Sequence, residues 1–181
     1  MHDDVLSVAS RRRIYECVTL HPGAHLRDIS RRAGLPLGTT LYHLDHLESH
    51  GLVHARRDGR YKRYFGTTGM GRREKDLLSV LRHDAPRRIV EALLAHGAST
   101  QRGLCAALGL SRSTLSFHLN VLVERGIARR EPTRPEGTYL IEDAALASDL
   151  LARYGQSLSS PSVTLVPSAP EAAPGQAAIA G

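Results

Sequence analysis

Apolar residues recur at helical spacing over 7–20, where Val8, Ile14, Val18 and Leu20 precede the stop His21-Pro22-Gly23. A short second helix is predicted through Leu26–Ala33, then a tight turn at Gly34-Leu35-Pro36. A third helix runs from about Leu37 to His50, with Gly51 as its left-handed cap. The period then drops from helix to strand. Leu52–Arg56 and Tyr61–Phe65 read as two strands joined at Asp58-Gly59, a strong hairpin signal. Residues 66–73 read as a flexible joint, and Glu74–Arg82 as a linking helix with Leu77, Leu78 and Leu81. Helices are predicted again over 86–95, 100–108 and 111–125, with strands Ile127–Glu131 and Thr138–Ile141 around a longer Pro-rich loop. An amphipathic helix over 144–154 carries Leu146, Leu150 and Leu151. The Ser-, Pro-, Ala- and Gly-rich stretch from Gly155 onward reads as disordered.

The second half of this pattern restates the first. Arg11–Ala55 lies on Pro86–Arg130 without a gap, 75 residues on, pairing Arg12 with Arg87, Arg13 with Arg88, Gly34 with Gly109, His43 with His118, Leu44 with Leu119 and Gly51 with Gly126. Two copies of one supersecondary unit imply a function suited to a pair. The expected divisions are 1–66 and 85–143 for the two units, 67–84 for a linker with a helix, 144–154 for a C-terminal helix and 155–181 for a tail.

Two helices joined by a short glycine turn and followed by a hairpin resemble a winged helix-turn-helix. GLSRSTLSFHLNVLVERGIARR resembles the turn and recognition helix of ArsR-type repressors. LPLGTTLYHLDHLESHGLVHARRDGRYKRYF resembles the same element in prokaryotic regulators with two winged helices in one chain. The resemblance covers residues 8–154. It implies a mainly α fold with small β-hairpin wings (α+β), a tandem winged helix-turn-helix, acting as a sequence-specific DNA-binding transcriptional regulator and a repressor.

In such a fold the outward face of the third helix enters the major groove, N-terminal end first. Thr40/Leu115, Leu44/Leu119 and Leu47/Leu122 share one face and are expected inward, with Leu41 a substitute for the weakly apolar Thr40. Thr39, Thr40, Ser111, Ser113 and Thr114 offer hydroxyls to phosphate. Tyr42 and Phe117 suit thymine methyls, and Asn120 suits adenine. His43, His46, Ser116, His118 and Arg112 complete the expected DNA-binding set on the two helices. Between Leu37 and Gly51 there is no Arg or Lys at all, so bidentate Arg–guanine readout is scarce.

Charge gathers instead in the first wing, where Arg56, Arg57, Arg60, Lys62 and Arg63 surround Tyr61 and Tyr64, with only Asp58 nearby in sequence. A minor groove or a phosphate backbone suits this hairpin; a charged edge that blocks sheet aggregation is the alternative. The second wing is more dilute, with Arg129, Arg130 and Arg134 beside Glu131 and Glu136. Arg11-Arg12-Arg13 and Arg87-Arg88 open helices, where cations oppose the macrodipole. DNA phosphate, or Asp3, Asp4 and Asp84 just upstream, are equal explanations.

The net charge of +6, mostly from Arg, agrees with a nucleic-acid partner, as does a genome rich in G and C. His43, His46, His50 and His54 invite a metal, yet no Cys or acidic ligand accompanies them, so neither metal nor other cofactor is expected. Cys17 and Cys105 fall in apolar helical patterns and are expected as buried free thiols of a cytoplasmic protein. Neither a membrane-spanning run nor the charge and apolar core of a signal peptide is read in the sequence. No nucleophile, base and orienter set or phosphate-cradling loop suggests an enzyme. The expected partners are double-stranded DNA and, through the C-terminal helix, a second copy of the chain. The competing readings are a winged-helix protein–protein adaptor and a ligand- or metal-gated sensor.

Overall fold

The computed structural model describes residues 5–132 and 136–158. The elements run α1 (Ala9–Leu20), β1 (Ala24–His25), α2 (Leu26–Ala33), α3 (Leu37–Ser49), β2 (Val53–Asp58), β3 (Tyr61–Gly66), α4 (Arg72–Leu81), α5 (Asp84–His96), β4 (Ser99–Thr100), α6 (Gln101–Leu108), α7 (Arg112–Glu124), β5 (Ala128–Glu131), β6 (Thr138–Ile141) and α8 (Ala144–Leu158). Three helices and an antiparallel hairpin therefore occur twice, as the repeat implies. Each hairpin gains a short third strand, giving the orders β1-β3-β2 and β4-β6-β5.

Local chemistry explains the repeat. Gly34 and Gly109 end α2 and α6 in the left-handed region, at φ 62° and 65°. His25 and Thr100 cap the same helices at their starts through side-chain acceptors for Asp28 N–H and Gly103 N–H. The repeated arginines of α1 and α5 have a shared purpose too. Arg13 Nη1 donates to Ala33 O at 3.1 Å, and Arg88 Nη2 donates to Leu108 O at 2.9 Å. Both cations thus sit on the carbonyl end of the following helix, where the macrodipole favours them. Their placement at the start of their own helices is offset in this way. The neighbouring Arg11 and Arg12 donate to the carbonyls of Val5 and Leu6. Of the proposed acidic partners, Asp84 does pair with Arg87 at 2.8 Å, while Asp3 and Asp4 lie outside the described residues.

One core holds Ile14, Val18, Ile29, Leu44, Leu47 and Tyr64. The other holds Ile89, Leu93, Leu115, Leu119, Leu122 and Ile141, and it also takes Leu77, Leu78 and Leu81 of α4 and Phe65 from β3. The expected linking helix is thus packed core, and the first wing reaches into the second unit through Phe65. Gly23 makes room for that ring: at φ +78° a Cβ there would stand 3.2 Å from it.

The C-terminal helix also departs from expectation. It continues through Gly155 to Leu158, and Ser157 and Leu158 are buried. Arg82 Nη1 and Arg32 Nη2 donate to Ser157 O, Arg87 Nη1 donates to Leu158 O, and His21 Nδ1 lies 2.8 Å from Ser157 Oγ. Three cations on a helix C-terminus stabilise four residues that composition alone assigned to the tail. Burial brings the Arg82 pKa down to about 10. The rest of the expected disordered tail, 159–181, lies outside the described residues. Leu150 is fully buried and Leu146 and Leu151 pack beside it on the second core, so the face offered for a homodimer is engaged within the chain. Cys17 is buried and Cys105 half-buried, both free.

Candidate nucleic-acid interface

The two helices expected to read DNA, α3 and α7, turn matching faces outward. Leu44, Leu47, Leu115, Leu119 and Leu122 are buried, while Tyr42 and Phe117, 75 residues apart, are each 64% exposed. Each ring stands edge-on to the next histidine, at 5.3 Å for Tyr42–His43 and 5.2 Å for Phe117–His118. Ser113, Thr114 and Asn120 are exposed around Phe117, and Ser116 is half-buried beside it. Arg112 is exposed in the first turn of α7. Ser111 caps that helix: its Oγ accepts from Thr114 N–H at 3.2 Å and bonds both the Ser113 and Thr114 hydroxyls. The corresponding residue of α3 is Pro36, which offers no cap side chain. Thr39 and His46 are half-buried on the α3 surface.

Several expected contact residues face elsewhere. Thr40 is fully buried and its hydroxyl donates to Pro36 O at 3.0 Å, so it keeps the inward position and Leu41 remains exposed. Back-bonding to a carbonyl four residues earlier removes the cost of burying the hydroxyl. His43 is buried too, its Nε2 2.8 Å from Ser10 Oγ. Burial, and after it the Arg11 charge, holds its pKa below the ordinary value, which disfavours a phosphate-binding imidazolium. His118 is half-buried and shifted the same way, first by burial and then by His83.

The first wing is paired more than its sequence suggests. Arg63 is buried: its side chain is 4% exposed, and Nε donates to Asp58 Oδ2 at 2.7 Å and Nη1 to Gly23 O at 3.0 Å. Lys62 donates to Glu48 on α3 at 2.9 Å, and Arg56 to Asp76 on α4 at 2.6 Å. The two-residue loop is Gly59-Arg60, one residue later than Asp58-Gly59, because Asp58 still pairs with Tyr61. Arg57 and Arg60 remain exposed. A cleft lined by Arg56, Arg57, Asp58, Asp76, Ser79 and Arg125 runs beside this wing. In the second wing Arg129 pairs with Glu131 and Glu142 while Arg130 is exposed. Arg134 lies outside the described residues.

His46 and His50 lie with ring centroids 4.2 Å apart, tilted by 46°, but no group of three or more metal-capable side chains occurs among the described residues. No helix among them is long and apolar enough to cross a membrane.

Residues 8–78 match the family described as an N-terminal HTH domain, and residues 68–137 match the MarR family. The second unit's likeness is thus to MarR proteins, rather than to the ArsR-type repressors that its recognition helix resembles. With the fold, these matches make the first unit similar to an N-terminal HTH domain and the second similar to the MarR family. A relative in Methanocaldococcus jannaschii, an uncharacterized HTH-type transcriptional regulator, is 28% identical over 144 residues, covering 80% of this chain. The chain spans 36% of that relative's length.

Proposed function

We propose that this chain represses transcription by binding double-stranded DNA with both of its winged units, and that α7 is the principal base reader. The observation that carries this is the recurrence of an exposed aromatic at one position of two recognition helices. A large apolar ring displayed twice in water, amid hydroxyls and Asn120, suits major-groove thymine methyls and base edges. Arg112, Ser113, Thr114, Ser116, Phe117 and Asn120 are the reading residues, with Ser111 shaping the helix start. On α3, Thr39, Tyr42 and His46 make a weaker counterpart. Arg57, Arg60 and Arg130 provide phosphate contacts that position without specifying sequence. Repression by occlusion is favoured because it requires nothing beyond DNA binding. The reading needs no cofactor or metal, assigns no catalysis, and suits a cytoplasmic protein.

A second reading has one observation in its favour. The outward face of α3 shows Leu37, Leu41, Tyr42 and Asp45 and no Arg or Lys, a surface suited to a protein. Selection from a random DNA pool, with affinity for the winner measured at low and moderate salt, separates the two. An enriched site with a steep salt slope supports DNA reading. Absence of any enriched sequence, with binding lost at moderate salt, overturns it in favour of the protein adaptor.

A further inference from the structure

The carboxylate of Asp58 stands where the first wing meets the second unit. Within the wing it accepts from Arg63. Across the boundary, Arg125 Nη2 donates to Asp58 Oδ1 at 3.1 Å, and His83 Nε2 lies 3.3 Å from Asp58 Oδ2. Arg63 Nη2 also reaches His83 Nε2, at 3.0 Å. The Asp58 side chain is only 9% exposed at the centre of this group. Arg125 is the C-terminal cap residue of α7, and His83 is the residue that precedes α5, without a capping bond from its side chain. One carboxylate therefore connects the tip of the first wing directly to the end of the second recognition helix.

The first unit has other attachments, to α4, α8 and the segment between α4 and α5: Phe65 is buried in the second core, Arg56 pairs with Asp76, Arg32 and His21 reach Ser157, and Arg82 donates to Pro22 O. Of these polar contacts, the one from Asp58 reaches α7 itself, so it ties the tip of the wing to the end of that helix, and without it that tie is lost. We propose that Asp58 is a positioning residue that fixes the separation and rotational phase of α3 and α7, so that the protein accepts one spacing between two DNA half-sites. This rests on the reading that both units bind DNA. Half-sites read from one face of a duplex recur about every 10–10.5 base pairs, so each added base pair both moves and rotates the second half-site. A rigid pair of helices loses contacts when that happens, whereas a hinged pair follows.

The test uses the full chain and its own selected site, rebuilt with the spacer lengthened or shortened by one and by two base pairs. The double variant Arg125→Gln/His83→Asn removes the contacts across the boundary and leaves the Asp58–Arg63 pair inside the wing. The parent should lose roughly tenfold or more in affinity with each altered spacer, the cost of one or two base contacts. The variant should lose under about threefold, while its affinity for an isolated half-site stays at the parental value. Asp58→Asn should flatten the spacing profile in the same way. If both variants keep the parent's strict profile, Asp58 has no positioning role. If the parent selects no two-part site, the two-unit reading fails together with the proposal, an outcome distinct from the first.

Discussion

The two repeated units share an inside and differ outside. Leu44, Leu47, Leu119 and Leu122 fill matching places, and Arg13 and Arg88 make the same hydrogen bond to the end of the following helix. Outside, α7 presents a cation, hydroxyls and an amide around its aromatic, while α3 presents leucines and a carboxylate around its own. The first wing is bound by Asp58, Asp76 and Glu48, and the described part of the second has only rim pairs. A shared framework thus supports two surfaces of different chemistry, and position within a fold does not by itself assign the same task to both.

The largest effect should come from the difference between the wings. Arg63→Ala leaves a buried carboxylate short of its nearest partner and should cost about 3–5 kcal/mol. Arg130→Ala, on the exposed second wing, should change stability by less than about 0.5 kcal/mol. Urea denaturation of both variants checks this; equal costs would mean that the first wing is not a structural element.

Acid should expose the same asymmetry. Hydrogen bonds with His83 first, then Arg63 and Arg125, hold the Asp58 carboxyl well below the usual carboxylate range, against the opposing effect of burial. A depressed folded-state pKa contributes stability that is complete above the unfolded value, about 3.9, and is lost as pH falls below it. Denaturation midpoints measured from pH 6 down to pH 2.5 should therefore fall more steeply for the parent than for Asp58→Asn. Parallel slopes would show that the carboxylate carries no such linkage.

The exposed faces of α3 and α7 come next. Phe117→Ala should narrow the gap between the selected site and a scrambled one by about 1–3 kcal/mol. Tyr42→Ala should narrow it less, and neither change should alter thermal stability by more than about 0.5 kcal/mol. Competition binding with both duplexes gives the answer, and a larger loss from Tyr42→Ala would reverse the assignment of α7 as principal reader. The smallest effect tests the shared inside: Arg13→Ala and Arg88→Ala should each cost about 1 kcal/mol, by equal amounts within error, in thermal unfolding.

Much of this framework was legible in the sequence because it depends on local period and spacing. The helices, glycine caps and hairpins follow from apolar repeats and from residues that permit positive φ. The strands Ala24–His25 and Ser99–Thr100 were not, since two residues carry no period and owe their form to the neighbouring strand. Gly155–Leu158 was misread for a related reason: its anchors are arginines 71 to 125 residues away in the chain. The wing charges were overcounted because Glu48 and Asp76 become their partners only through tertiary packing. Thr40 and His43 sat at positions that the inward face already claimed. The repeated Arg13 and Arg88 did carry a signal, since a residue kept at one offset in both units points to the framework those units share.

Phe65 gives the chain an unusual dissection problem. A fragment ending at Gly66 would keep the first unit's helices and hairpin but carry an unclothed ring into water. The complementary fragment, beginning at the linker, would have a ring-sized hole in the core that Leu78 and Leu81 share with Phe65. Each piece would then tend to recapture the other, so mixing separately made halves offers reassembly where cutting promised independence.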